Sequence, residues 1–320
     1  MVWSNVVDSL HTIDIGIIQT LLNSYIKSNI FGNNEHFDKI DDIYLLNAGI
    51  NEISSPRSMS SISDWLGKHF QIFLFHYGLP LLKCYASNNH EVISNFINLQ
   101  NAIYLLSLPL ICENSYSIAH KEINLFLEGY RKLYKTIKSN FHELSHIVES
   151  VSKCGPLWMH STYNFEKLNK NIRHMVRSSL RPELQISSRI AAIKELSDVD
   201  EDWRTGNREA EKSIRVLSKG MRIEINKKMF EVESYSKKFK KTNCYLIFQR
   251  SFYKIAKIEE DKLQCIILET RRISLNTHEI LSCGKNVIDI NNLYAIDKCV
   301  YCKLEGREFL SLRPNWILNE

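Results

Sequence analysis

The sequence predicts an α+β fold in which a mostly helical region is followed by a small all-β module. In the first part of the chain apolar side chains recur at helical spacing, whereas after Thr242 they alternate at a period of two. Hydrophobic residues make up 44% of the 320 residues, which is enough to form a core. We therefore expect a helical region over 1–200, a charged basic linker over 201–242 and a β barrel or sandwich over 243–320.

The helical region contains several segments with an apolar stripe. After a strand-like start, a first helix is predicted from about Ile15, with Asp8 as a candidate cap before it. Residues 63–77 are apolar around most of a helical circumference, which predicts a buried helix that Pro80 ends or interrupts with a turn. Further helices are predicted over 90–108, 116–139 and 182–200.

The β module consists of short β-rich runs separated by polar turns, of which Leu304-Glu305-Gly306-Arg307 is a predicted hairpin turn. Cys299 and Cys302 form a Cys-x-x-Cys pair, but residues three apart on a strand point to opposite faces. Because no second pair at zinc-site spacing accompanies them, we interpret both cysteines as structural residues of a β core.

Composition excludes several classes of protein. The eight cysteines lack the spacing of a disulfide framework, which indicates free thiols in a reducing compartment. No apolar run reaches the ~18 residues that a membrane helix requires, so no membrane partner is expected. The sequence also lacks a Walker loop, a Rossmann glycine motif and a Gly-x-Ser-x-Gly elbow.

The net charge of +5 is unevenly distributed along the chain. Residues 1–60 carry three Lys/Arg and seven Asp/Glu, whereas residues 204–250 carry thirteen Lys/Arg and five Asp/Glu. Such a basic segment is typical of a face for an anionic polymer, although a solvated helix face has the same composition. The run Lys237-Lys238-Phe239-Lys240-Lys241 is a solvated linker, a nuclear-import signal or a nucleic-acid contact.

Residues 141–177 contain the candidate chemical site. His142 and His146 stand four apart, so on a helix they would share one face and could bind one metal ion. After a break at Gly155-Pro156, a second predicted helix carries Glu166. Phosphodiester cleavage with two metal ions requires about three carboxylates, of which Glu166 is one candidate. Zinc would require two ligands besides the histidine pair, and no convincing second pair is present.

The same predicted helix is basic. Lys170, Arg173 and Arg177 follow Glu166 at spacings of four, three and four, which would place them on one face. A carboxylate within a basic row favours chemistry on a nucleic acid over a small-molecule reaction. The three basic residues are therefore candidate DNA contacts, and His11 is either a packed surface histidine or a further DNA contact.

These motifs, in this order, resemble the C-terminal part of cut-and-paste DDE transposases of the CACTA/EnSpm type and, more distantly, the Transib and V(D)J recombinase lineage. Three further stretches agree with the family pattern: the segment Asp8-x-x-His11 to Gly16, the segment from Pro56-Arg57-Ser58 through Trp65 to Pro80, and the β tail with Ile296-Asp-Lys-Cys-Val300 and Pro314-Asn315. The central stretch comprises His142-x-x-x-His146, Gly155-Pro156-Leu157-Trp158 and Ser161-Thr162-Tyr163-x-Phe165-Glu166-x-x-Asn169.

The resemblance implies a fold, a site and a location. It implies a remnant of an RNase H-like transposase with a helical insertion, in which Glu166 is the third catalytic carboxylate. His142 and His146 would be the histidine half of a Cys2His2-type zinc site. In the intact family the cofactors are magnesium or manganese together with zinc, the partner is DNA, and the protein acts in the nucleus.

The chain departs from the family in one respect. The first two catalytic Asp residues and the Cys-x-x-Cys of the family lie upstream of the Asp8-x-x-His11 segment, so we expect a transposase truncated at its N-terminus. By itself, such a chain would be catalytically inactive and would bind neither the divalent magnesium or manganese ions nor zinc tightly. It would retain non-specific DNA binding. The alternatives are the C-terminal portion of an active transposase and a co-opted nuclear interaction module.

Overall fold

The computed structural model describes residues 6–31, 41, 58–134, 138–193, 214–217, 222–225, 228–231, 244–258, 263–291 and 296–312. The chain divides into two compact units, of which unit 1 comprises Met1–His160 with Ser213–Glu320 and unit 2 comprises Ser161–Lys212. Helices dominate the first half of unit 1 and strands its second half, which confirms the predicted α+β class. Among the described helices, none is long and apolar enough to cross a membrane.

The helices of unit 1 are mostly short and are joined by tight connections. A π-helical segment, Leu10–Ile18, precedes α1 (Gln19–Lys27), and a second π-helical segment, Phe73–Tyr77, joins two helices of one buried rod. The remaining helices in chain order are α2 (Gly67–Ile72), α3 (Gly78–Tyr85), α4 (His90–Leu106), α5 (Glu113–Tyr134), α6 (Ser139–Leu144) and α7 (Ile147–Cys154).

The predicted strand-like start of the helical region was wrong, because helical conformation already begins before Ile15. The carboxylate of Asp8 accepts hydrogen bonds from the backbone N–H groups of Leu10 (3.3 Å) and His11 (3.2 Å). The predicted cap is thus confirmed, and it satisfies two backbone donors that have no partner in the first helical turn. The apolar residues of this segment alternate locally, and that short-range pattern concealed the helix.

The buried rod α2–α3 passes through Pro80 without ending. Pro80 is the third residue of α3, a position in the first turn where a missing backbone N–H is tolerated. The π-helical segment directly before α3 widens the turn, as such bulges do where the regular hydrogen-bond ladder is interrupted. All five residues of that segment are buried. The predicted core helix over 63–77 is therefore confirmed from Gly67 onward, whereas the exposed Ser63 and Asp64 end a 3-10 turn and Leu66 is extended.

An aromatic stack joins α5 to α6. The ring of Phe141 lies 3.9 Å from the ring of Tyr130 and 6.1 Å from the ring of Phe126, measured between centroids, and both pairs are stacked. All three side chains belong to one hydrophobic core. Because Phe141 directly precedes His142, this stack determines where the first predicted metal ligand lies.

The predicted β module is a closed six-stranded barrel. Its strands are β4 (Tyr245–Phe248), β5 (Ser251–Ile258), β6 (Leu263–Arg272), β7 (Thr277–Ile290), β8 (Asp297–Leu304) and β9 (Arg307–Leu312). Their order around the barrel is β4-β5-β6-β7-β9-β8, and every pairing is antiparallel. The predicted hairpin turn is confirmed between β8 and β9, where Glu305 and Gly306 both have positive φ (46° and 77°), as a two-residue hairpin of this kind requires.

The barrel shares a core with the helices. The side-chain amide of Asn276 donates to the carbonyl oxygen of Phe75 (2.9 Å), and a ring nitrogen of His76 lies 2.7 Å from the hydroxyl of Ser311. Cys302 lies in the core that includes the helices, whereas Cys299 lies in the separate core inside the barrel. The two cysteines therefore point to opposite faces of β8, as predicted for structural residues, and all eight cysteines are free thiols.

Three short strands lie within 201–242, the segment that its charge suggested is a linker. They form an antiparallel sheet in the order β1-β2-β3, with β1 at Ile214–Leu217, β2 at Arg222–Ile225 and β3 at Lys228–Glu231. The alternation of apolar and charged residues in these runs is the period of a strand, but the high charge of the segment obscured it.

Unit 2 is helical in its described part. It contains α8 (Tyr163–Met175) and a further helical stretch over 182–193, which lies within the predicted helix 182–200. Between them, Gln185 accepts a hydrogen bond from the backbone N–H of Arg177 (2.9 Å) and donates to the carbonyl oxygen of Leu180 (2.7 Å). A single side chain thus bridges the connection between the two helical stretches.

Candidate functional site

The two histidines of the predicted metal site are neighbours in unit 1, although no continuous helix carries them. His142 lies in α6, which ends at Leu144, and His146 precedes the first residue of α7. Their ring centroids are 5.0 Å apart and the rings meet edge to face. The Ser145 hydroxyl donates to the carbonyl oxygen of His142 (2.6 Å) and stabilises the turn between the two helices. The predicted juxtaposition of the pair is thus present on a helix–turn–helix.

Nearby carboxylates are engaged by other partners. Glu143 accepts a hydrogen bond from the hydroxyl of Thr12 (2.7 Å), which ties α6 to the first π-helical segment. Glu149 forms an ion pair with Lys153 one turn later in α7, and this hydrogen bond lowers the pKa of the Glu149 carboxyl below its usual range. Both carboxylates thus already have a partner outside the histidine pair.

The described residues do not fit a zinc centre. Within the part of the chain that the structure describes, no group of three or more His, Cys, Asp or Glu side chains is arranged to hold a metal ion. A structural zinc site is almost always four-coordinate, and His142 and His146 supply two ligands. The pair therefore does not constitute a zinc site by itself.

We expect the 320-residue chain to retain no stoichiometric zinc after purification and exhaustive dialysis. Two imidazoles hold zinc weakly, because the remaining coordination positions would be filled by water and no folding energy would be coupled to binding. Metal analysis by inductively coupled plasma mass spectrometry checks this directly. One zinc per chain, lost in the His142→Ala and His146→Ala variants, would show that the missing ligands come from elsewhere in the chain.

In unit 2, α8 exposes the predicted carboxylate and part of the predicted basic row. Glu166 lies in the first turn, and its backbone N–H donates to the carbonyl oxygen of Thr162 (2.9 Å). Lys170 and Arg173 follow on the helix and are exposed to solvent. The helix ends at Met175, so the expectation that Arg177 shares this helical face was wrong. Val176 at the helix end is extended, and Arg177 therefore departs from the helical row although it is exposed as well.

His11 lies on the outside of the first π-helical segment. One of its ring nitrogens contacts the carboxylate of Asp8, which also caps that segment. The Asp8-x-x-His11 motif is thus a local structure in which one carboxylate serves two partners. A role for His11 in DNA contact stays a prediction.

The structure brings together a set of residues that sequence spacing did not indicate. A small cavity between α5 and α6 is lined by Leu127, Tyr130, Arg131, Phe141, His142 and Ser145. Arg131 belongs to the last turn of α5 and is separated from His142 by the connection to α6. Since the two residues line one cavity only because the helices pack together, no local sequence signal could have paired them.

Several predicted elements lie outside the described residues, including the Lys237–Lys241 run, Pro56-Arg57 and Pro314-Asn315. Comparisons with family models, with curated proteins and with solved structures gave no match to this chain. An assignment of function therefore depends on the order of the motifs and on the geometry of the sites.

Proposed function

We propose that this chain is a transposase-derived DNA-binding protein that corresponds to the C-terminal part of a CACTA/EnSpm-type DDE transposase. The observation that carries the proposal is the order of the motifs, which runs from Asp8-x-x-His11 through His142-x-x-x-His146 to Phe165-Glu166. In this proposal the helices of unit 1 are the helical insertion of an RNase H-like transposase, and α8 is its last catalytic helix. DNA as the ligand implies a nuclear protein.

The charge of unit 2 supports DNA binding. Residues 161–193 contain six Lys/Arg and two Asp/Glu, which gives these 33 residues a net formal charge of +4. The net formal charge of the whole chain is +5. Lys170, Arg173 and Arg177 are exposed, so their charges are accessible to a phosphate backbone without rearrangement of a core. Contacts of this kind position a protein on DNA but do not read its sequence, and the expected binding is therefore non-specific.

These 320 residues bind DNA without cleaving it in our proposal. Two-metal cleavage requires carboxylates that hold both ions across the scissile phosphate, and the family motif places one such residue, Glu166, in this sequence. Magnesium and manganese are accordingly expected to support neither cleavage nor strand transfer by the purified chain. Nicked or joined products from a labelled duplex, dependent on either metal and abolished in Glu166→Gln, would overturn this part of the proposal.

The Lys170→Gln/Arg173→Gln/Arg177→Gln variant is expected to bind duplex DNA at least about tenfold more weakly than the wild-type chain. If each residue contacts one phosphate, the slope of log affinity against log salt concentration falls by about three. Fluorescence anisotropy of a labelled duplex over a range of salt concentrations measures both quantities. Two duplexes of unrelated sequence are expected to respond equally.

A matched control separates these contacts from the general effect of net charge. Lys121, Lys132 and Lys285 are exposed residues of unit 1, and replacing all three with Gln removes the same charge. This control is expected to change the salt slope little. Equal losses in the two triple variants would mean that DNA is attracted by net charge alone, which would contradict the assignment of the interface to unit 2.

A second candidate function is a co-opted nuclear interaction module. It is favoured by apolar side chains that α8 exposes beside its charged residues, notably Phe165 (65% exposed) and Leu168 (54%). A protein partner would cover this stripe, since exposed apolar residues that stand together are typical of interaction surfaces. Recovery of one nuclear protein after nuclease treatment, abolished by Phe165→Ser/Leu168→Ser and not by the basic triple variant, would favour this function over DNA binding.

A further inference from the structure

The cavity between α5 and α6 has an apolar floor and a polar rim. Its volume is about 100 Å³, and its floor is formed by the stacked rings of Tyr130 and Phe141, both fully buried in the core. Arg131 and His142 supply the polar rim, and both are exposed to solvent. The two floor residues belong to the hydrophobic core, and each directly precedes one rim residue in the chain, so the core packing positions the backbone of both Arg131 and His142.

The rim presents two donors that the protein does not itself use. Among the described residues, the guanidinium of Arg131 has neither an ion-pair nor a hydrogen-bond partner. The imidazole of His142 contacts the ring of His146 edge to face, and a neutral imidazole still offers one N–H. The Ser145 hydroxyl already donates to the His142 carbonyl oxygen, so its contribution is to hold the turn that carries the imidazole.

Charge and size together determine the kind of ligand. A guanidinium, which is always charged and offers several donors in one plane, selects an oxyanion over a neutral group. Small-molecule pockets usually measure about 300 Å³ or more, so this cavity is too small for a whole nucleotide. It has room for a group equivalent to a few water molecules. The nearby carboxylates Glu128 and Glu143 do not line the cavity, and Glu143 accepts a hydrogen bond from Thr12.

We propose that Arg131 and His142 form a binding site for a tetrahedral phosphate oxyanion. The guanidinium donates to two oxygens, the imidazole N–H donates to a third, and the aromatic floor excludes water from the inner side of the site. The phosphate belongs to a nucleic-acid backbone or to a free phosphate or phosphomonoester. The first source rests on the proposed DNA-binding function, and the second does not. His142 thus acts as a phosphate ligand, a role that the histidine spacing did not indicate.

The first measurement titrates inorganic phosphate into the full chain by isothermal calorimetry at constant ionic strength. Arg131→Gln is expected to weaken phosphate binding at least about tenfold, because hydrogen bonds to charged groups are the strong ones. His142→Phe, which keeps the ring and removes its donor, is expected to weaken it about threefold. Lys132→Gln is the matched control, since it removes an equal exposed charge from the next residue of α5 and leaves the cavity rim intact.

Equal losses in Arg131→Gln and Lys132→Gln, or the absence of phosphate binding by the wild-type chain at millimolar concentration, would overturn the proposal. An unchanged thermal unfolding midpoint in each variant shows that misfolding is not the cause of a loss of phosphate binding.

A labelled single-stranded oligonucleotide, tested by fluorescence anisotropy, identifies the source of the bound phosphate. If Arg131→Gln weakens oligonucleotide and phosphate binding together, the site takes backbone phosphates; if phosphate binding alone weakens, it takes a free phosphate or phosphomonoester. Failure of the proposed function would instead appear as an unaltered DNA affinity in the unit 2 triple variant.

Discussion

Replacing Phe141 with Ala is expected to lower the free energy of unfolding by about 3–5 kcal/mol. The ring is 1% exposed and stacks against both Tyr130 and Phe126, so its removal leaves a cavity that the neighbouring rings cannot fill without leaving their own positions. The loss combines the apolar surface that is no longer buried with the unfilled volume. Urea-induced unfolding followed by far-ultraviolet circular dichroism measures the change.

Phe165→Ala is the matched control for this prediction. It makes the same substitution on α8, where the ring is largely exposed and its burial contributes little. We expect a change of less than about 0.5 kcal/mol, as is usual for surface substitutions. A loss in Phe141→Ala that did not exceed the loss in Phe165→Ala would show that the aromatic stack does not join α5 to α6.

The second large effect is expected at Asn276, where Asn276→Ala should lower the free energy of unfolding by about 3 kcal/mol. The side chain is fully buried and donates to the carbonyl oxygen of Phe75 (2.9 Å), while its own oxygen lies 3.0 Å from the hydroxyl of Ser274. Alanine would leave the Phe75 carbonyl and the Ser274 hydroxyl buried without this partner. A buried polar group without a hydrogen bond is costly because it has also lost its contacts with water.

Asn291→Ala provides the comparison for Asn276→Ala. Asn291 is exposed just after β7, so its amide can exchange any lost hydrogen bond for one with water. Urea unfolding monitored by tryptophan fluorescence, to which the buried Trp65 of the helical part contributes, is expected to show a lower midpoint for Asn276→Ala and no shift for Asn291→Ala. Unchanged midpoints in both variants would mean that the barrel and the helices do not stabilise each other through this contact.

Sequence periodicity located most of the elements because it reports which side of a segment is apolar. The buried helical segment over 67–77, the hairpin turn at Glu305-Gly306 and the opposite orientations of Cys299 and Cys302 all follow from the local repeat of 3.6 or 2 residues. The same reasoning failed where charge dominates composition, as in β1–β3. It also failed at the end of α8, where the row of basic residues continues in sequence after the helix has stopped at Met175.

The candidate site was predicted in part. Spacing placed His142 and His146 side by side, and their rings are neighbours even though the helix breaks between them. Spacing could not indicate that Arg131 and His142 line one cavity, since that depends on how α5 packs against α6 through Tyr130 and Phe141. Nor could it indicate that Glu143 and Glu149 are already engaged by Thr12 and Lys153.

The sequence by itself determined the α+β class, the order of a helical region and a β barrel, and the set of motifs on which the proposed transposase ancestry depends. The tertiary structure decided that the barrel and the helices of unit 1 share a core, and that a guanidinium and an imidazole line the same small cavity beside two stacked aromatic rings. The physical reason is the range of the interactions. Periodicity, caps and turns act over a few residues, whereas the surface that covers an apolar face is chosen by packing between segments far apart in the chain.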